Sequence, residues 1–396
     1  MERLVAPEGK VLLVLGAGAV LWLRLWPGLV GCSVRRRTQF LSRLAESRFL
    51  AFGCVVVVAL GVSAGLSAVR WPVPKVHDEF SYLLAADTFA RGRATNPTHP
   101  LWRHFEIQHV LQHPTYQSKY PPAQGLALAV GQVLTGQPIL GAWLSFAGMC
   151  AAIWWMLRAW VPPGWALLGG LLPVVRWGVF GNWEFPLFFY WSQSLWGGAV
   201  AAGAGALVFG ALRRIYDQPR ARDAWILAAG LGVLANSRPY EGLLAALPVA
   251  GVLIVWAVKR VRRSGVSPVA PVFGALLGGL TLAAAATGAY NARVTGSPVQ
   301  LPYWVHEDAS AMRHFEWQPF QEERPRLEGA AEGRSVTRIR HRARWKGEVM
   351  ERVYRFRRAW RFYLGWALTL PLLFAAPRLG RPWMRFAGGT VALVAA

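Results

Sequence analysis

Apolar and polar positions fall in long blocks along this chain rather than in short alternations. Apolar runs cover Phe49 to Val69, Gln137 to Val161, Gly164 to Phe180, Trp191 to Leu212, Leu243 to Val258 and Pro268 to Tyr290. Each approaches the ~20 residues that a helix needs to cross a hydrocarbon core of ~30 Å. The runs are rich in Gly, Ala and Leu and lack a period of two, so they predict helices and not barrel strands. Ala224 to Ala235 is a shorter outward run, and Phe362 to Ala376 is a later return followed by an apolar stretch to Ala396. The expected fold is an all-α integral membrane protein, a polytopic helical bundle.

Two parts of the pattern differ from simple crossings. Val11 to Val30 is apolar but interrupted by Arg24, and reads as either a spanning or an interfacial helix. Leu29-Val30-Gly31-Cys32 has the look of a lipoprotein cleavage box, yet cleavage there would export Arg35, Arg36 and Arg37 against the positive-inside rule. Between the crossings at Phe49 and Gln137 lies a large first external loop, residues 71–122. In it, Glu79 to Arg91 carries Phe80, Leu83, Leu84 and Phe89 at helical spacing, which predicts a helix lying on the membrane surface. Ala94 to Gln117 is polar, broken by prolines and rich in histidine. Ala123 to Thr135 is too short to span and reads as a second surface helix.

Composition narrows the class. The chain is 54% hydrophobic and 16% charged, and the second figure is well under the ~25% of soluble domains. A net charge of +23 suggests nucleic acid until its placement is considered. Lys and Arg cluster in the short loops Ser33 to Arg48, Arg213 to Asp223 and Lys259 to Arg263. Short loops so charged stay in the cytoplasm, so the charge encodes topology and no nucleic-acid partner is expected. The Arg-rich stretch 291–361 is placed outside because long loops escape that rule, and its tail, Arg338 to Arg361, fits lipid phosphates or a solvated basic helix equally. The chain then divides into 1–48, a membrane core 49–290, an external basic segment 291–361, and 362–396. Two of the three cysteines, Cys54 and Cys150, lie in apolar runs, and no disulfide framework is indicated. Gly197, Gly198, Gly203, Gly205 and Gly210 in one crossing read as helix packing.

With that topology, the polar residues able to do chemistry fall at the outer ends of helices: Asp78 and Glu79, Lys119, Glu184, and Arg238 with Tyr240 and Glu241. A site at one membrane face needs these types if a sugar is moved from a lipid phosphate to a hydroxyl. A carboxylate takes the hydroxyl proton, which makes Asp78 and Glu79 the catalytic candidates. Cations hold the departing phosphate, a role for Lys119 and Arg238. Tyr82, Tyr120, Glu184, Tyr240 and Glu241 complete the substrate-binding set. Plainer readings stand beside these: two acids that start a helix, a snorkelling Lys119, and an Arg238 paired with Glu241 across a turn. His77, His99, His104, His109 and His113 cluster in the same external loop. With Glu106 and the acid pair, His77 and His104 are candidate ligands of a divalent metal, although the spacing matches no compact zinc signature. No other cofactor is indicated.

The order of these parts resembles the C-type glycosyltransferase (GT-C) superfamily, in the branch of bacterial protein O-mannosyltransferases and the lipid A aminoarabinose transferase. The resemblance covers Phe49 to Tyr303 and rests on three parts. They are a crossing helix, a loop opening with His77-Asp78-Glu79-Phe80, and Ser118-Lys119-Tyr120-Pro121-Pro122 before the second crossing. It implies inverting transfer from a polyprenyl-phosphate sugar, with Asp78 as base, Glu79 as its support or an acceptor contact, and Lys119 on the donor phosphate. Family members carry a lysine directly before the prolines, whereas here Tyr120 intervenes. Asn236-Ser237-Arg238-Pro239-Tyr240-Glu241-Gly242 and Tyr290-Asn291-Ala292-Arg293-Val294-Thr295-Gly296 are similar to elements of a bacterial subgroup, with no role carried over. The partners implied are that donor and membrane lipids, and the place is the outer face of the bacterial cytoplasmic membrane. Two rivals remain open: a flippase for lipid-linked sugars, which predicts an inverted repeat and mid-span charges, and a non-catalytic subunit binding a polyprenyl lipid.

Overall fold

The structure, a computed structural model, describes residues 42–175 and 191–307, with 382, 383, 386 and 388–390. The expected features at Val11 to Val30, Glu184, Arg338 to Arg361 and Phe362 to Ala376 lie outside the described residues. The chain forms two compact units, and the one treated below is Gly28–Ser310 with Arg385–Ala396. The other, Met1–Pro27 with Ala311–Met384, lies almost wholly outside the described residues.

The described core is helical. Helix α1 (Arg48–Val69) begins at Ser47, whose side chain accepts the Leu50 N–H at 3.4 Å. Two short helices follow, α2 (His77–Ala90) and α3 (Pro122–Thr135), joined by a polar segment. That segment holds one antiparallel pair of two-residue strands, β1 (Val110–Leu111) and β2 (Gln117–Ser118), in which Val110 faces Ser118. Then come α4 (Pro138–Leu157), α5 (Pro163–Pro173), α6 (Gly198–Asp217), α7 (Ala221–Ala235), α8 (Pro239–Ser264) and α9 (Ala270–Thr295). Prolines open α3, α4, α5, α8 and α9, where a missing N–H costs nothing. Among the described residues, five helices, α1, α4, α6, α8 and α9, are long and apolar enough to cross a membrane.

Several boundaries move from expectation. The crossing expected from Trp191 begins only at Gly198, because residues 191–197 spend their polar groups on neighbours. The crossing expected from Leu243 to Val258 grows at both ends into the 26 residues of α8. Helix α3, expected as a surface helix, is packed against both α2 and α4 and buries Gln124, Gly125, Leu128 and Gly131.

Close packing depends on small residues. A methyl added at Gly131 would stand 2.2 Å from the Gly141 nitrogen, and one at Gly141 would stand 2.2 Å from the Ala127 oxygen. The α3 and α4 backbones therefore touch, which in lipid replaces the missing hydrophobic drive with dispersion contacts. Elsewhere Gly210 accommodates Trp155, and Gly230 lies on the Ala204 carbonyl. A larger apolar core joins α6, α7, α8 and α9 through Val208, Leu212, Leu227, Val249, Leu253 and Val272.

The helix ends sort by charge. Arg158, after α4, donates to the Ala45 carbonyl at 2.9 Å, and Arg214, near the end of α6, donates to the Trp155 carbonyl at 2.7 Å. These contacts gather the basic ends of α1, α4 and α6. The opposite ends converge elsewhere: Ala123 N donates to the Asn236 carbonyl at 3.0 Å, and Thr115 Oγ1 to the Val294 carbonyl at 2.8 Å. The start of α3, the end of α7 and the end of α9 are thus tied around one place.

Candidate active site

The acidic pair sits in the first turn of α2, where the helix dipole favours negative charge. Val76 is the N-cap and has no side-chain cap bond, so neither acid caps the helix. Their environments differ completely. Glu79 is 5% exposed. One carboxylate oxygen reaches back to accept the Lys75 N–H at 2.8 Å, much as in a capping box. The other accepts the Leu195 N–H at 3.0 Å. The carbonyl of Leu195 in turn accepts from Gln124 Nε2 at 2.8 Å. Glu79 therefore anchors the 191–197 segment to α2 and α3. Of the two catalytic candidates, Glu79 is thus the one whose carboxylate is committed to backbone and does not line the cavity described below.

Asp78, on the neighbouring face of the same turn, lines that cavity. Its Oδ1 accepts the Tyr120 hydroxyl and stands 3.3 Å from His109 Nε2. Among the described residues, no hydrogen bond reaches Oδ2. Burial, followed by the Asp78 contact, holds the Tyr120 phenol far above its ordinary range. Tyr120 is then a permanent O–H donor, and its ring stacks on Tyr82 with centroids 4.7 Å apart.

A buried serine pair sets the spacing of the site. Ser81 Oγ donates to the His109 carbonyl at 2.6 Å and lies 2.7 Å from Ser118 Oγ. Since Ser81 has one hydroxyl proton, Ser118 is the donor between them. Lys119 N also donates to the His109 carbonyl, at 3.1 Å. One clip therefore joins α2 one turn beyond Asp78, β2 beside Lys119, and the backbone of His109.

Lys119 is buried, its side chain 7% exposed. The ammonium stands 3.7 Å from Glu307, over the Tyr303 ring at 4.8 Å and the Tyr120 ring at 5.6 Å. Burial lowers its pKa from the ordinary amine range, while Glu307 and Asp78 pull the other way. Arg238, the N-cap of α8, pairs with Glu241 at 3.2 Å, with both side chains about half exposed. That pair is the plain reading drawn from the sequence, and it also lies on the cavity wall.

Part of this set lines one cavity of about 330 Å³. Asp78, Tyr82, Lys119, Tyr120, the run Arg238 to Glu241 and Tyr303 line it, so residues as far apart in sequence as Asp78 and Tyr303 meet there. Asn236, Thr287 and Asn291 form its polar floor, with Asn236 Nδ2 donating to Thr287 Oγ1 at 2.8 Å. The two motifs with no role in the sequence thus sit at the ends of α7 and α9 beside the acid and the lysine. Tyr303 and Glu307 had no local signal, lying in a stretch expected only to be external and basic. His109 stood out solely as one histidine among several.

The candidate metal ligands His77, His104 and Glu106 do not come together. Among the described residues no three of His, Cys, Asp and Glu come together to hold an ion. His104 falls in a 3-10 turn, Trp102–Phe105, with Glu106 just after it and both exposed. His77 opens α2 instead. Comparison with family models, curated proteins and solved structures gives no match to this chain.

Proposed function

We propose that this chain is a membrane glycosyltransferase that moves a sugar from a polyprenyl-phosphate donor to a hydroxyl acceptor on the outer face of the cytoplasmic membrane. The observation that carries the reading is the meeting of Asp78, Lys119 and Arg238 on one cavity. A base and two cations around a space of that size match the demands of displacement at an anomeric carbon. Asp78 Oδ2 takes the acceptor proton as the acceptor oxygen bonds to the sugar. The carbon–oxygen bond to phosphate breaks with its electron pair on the phosphate, and Lys119 and Arg238 receive the added charge. Attack opposite the leaving group inverts the anomeric centre. Glu307 and Glu241 hold the two cations until a phosphate replaces them. The outer-face assignment follows from the basic helix ends lying at the other end of the bundle.

The test is transfer from a radiolabelled polyprenyl-phosphate sugar in membranes. Asp78→Asn abolishes transfer, and Lys119→Ala and Arg238→Ala raise the KM for donor. Full transfer by Asp78→Asn removes the reading. Donor binding by the wild type without transfer under any acceptor leaves it a lipid-binding subunit.

A further inference from the structure

His109 carries features that a loop histidine does not need. Its backbone lies at φ 67°, in the left-handed region that costs most residues on the order of 1 kcal/mol or more. Its carbonyl is gripped by Ser81 and Lys119. Its ring lies between Tyr120, at 5.7 Å between centroids, and His306, at 6.3 Å. Nδ1 is buried with no hydrogen-bond partner, whereas Nε2 faces Asp78 Oδ1 at 3.3 Å. An unpartnered bare nitrogen is tolerated better in such a place than an unpartnered N–H, since a strong donor loses more on desolvation. The ring's proton therefore belongs on Nε2.

We propose that His109 is a positioning residue for Asp78: in the working state its Nε2–H donates to Oδ1 beside the Tyr120 hydroxyl, so that Oδ2 alone is turned to the acceptor. Two donors on one carboxylate oxygen stop rotation of the group and select which oxygen is basic. Contacts of this kind are often long in the empty site and shorten with substrate bound. The charged and titratable groups around the ring are His77 and Asp78 on α2, Lys119 and Tyr120 after β2, and His306 and Glu307. Burial and the Lys119 cation keep the imidazole below its usual pKa, which Asp78 opposes, so at neutral pH the ring is uncharged and has one proton to place.

This inference rests on the glycosyltransferase reading for its consequence but not for its first test. Nitrogen NMR of the full-length, histidine-labelled protein in nanodiscs identifies the His109 signals by their loss in His109→Gln. The expected result is the Nε2–H tautomer, with the Nε2 signal displaced by Asp78→Asn. An Nδ1–H ring, or an Nε2 signal indifferent to Asp78→Asn, overturns the proposal whether or not any substrate is known. In the transfer assay, His109→Ala is expected to lower kcat about 10- to 100-fold with donor KM within about twofold, the scale of a misplaced catalytic group. His109→Gln, which keeps an N–H at the place of Nε2, recovers most of that loss. Equal kcat in wild type and His109→Ala overturns the proposal. Absence of transfer in the wild type removes the glycosyltransferase reading instead, and the nitrogen signals then decide the pairing alone.

Discussion

Glu79→Gln separates an anchor from a base. In the native chain one carboxylate accepts two backbone N–H groups, from Lys75 at 2.8 Å and Leu195 at 3.0 Å, in a place 5% exposed. Hydrogen bonds to a charged group each contribute about 1.5–3 kcal/mol. Glutamine keeps one acceptor and turns the other into an NH2 that faces a buried N–H. The loss is therefore one such bond with its donor left orphaned, about 2–4 kcal/mol in all. At about 2–4 °C of Tm per kcal/mol, Glu79→Gln unfolds about 4–16 °C earlier. Asp78→Asn keeps an oxygen for the Tyr120 hydroxyl in a partly exposed place, and its Tm falls by no more than about 3 °C. Thermal unfolding of the purified proteins in one detergent, followed by tryptophan fluorescence, measures both. The reasoning is refuted if Glu79→Gln melts with the wild type, and more so if it also loses transfer as Asp78→Asn does.

Three other outcomes are expected. Gly131→Ala, which drives a methyl into the Gly141 nitrogen, destabilises by about 2–3 kcal/mol. Gly148→Ala on α4, where the added methyl meets nothing within 4 Å, is neutral or stabilising, and the two melting curves decide it. Acidification costs stability through His109, because its folded pKa lies below the unfolded value of 6.5 and the unfolded chain takes the proton first. The wild type therefore loses Tm as pH falls from about 6.5 through the lower folded value, and His109→Gln loses less. An equal slope in the two proteins refutes that assignment. Orientation is read with an impermeant maleimide on single-cysteine proteins lacking Cys32, Cys54 and Cys150. Pro100→Cys labels in intact cells and Ser264→Cys only after lysis, while the reverse pattern places the cavity on the inner face.

The spacing of apolar runs was enough for the helical class, because a backbone in lipid has few ways to satisfy itself and each must be long. The same physics made Asp78, Lys119 and Arg238 legible as a set: polar residues just beyond apolar runs are confined to a membrane surface before any contact is known. Chain order was silent on which acid faces the cavity. Asp78 and Glu79 are adjacent and alike in type, and about 100° of helical rotation sends one to the cavity and the other to the backbone of Leu195. Nor did it identify Glu307 as the partner of Lys119, or the Ser81–Ser118 clip that sets His109 beside Asp78. Those pairings join segments well separated in sequence, which meet only once the chain is folded. Hydrophobic pattern is a local property and survives in the linear chain, whereas a hydrogen bond across the site is decided by packing distances that only the folded bundle sets.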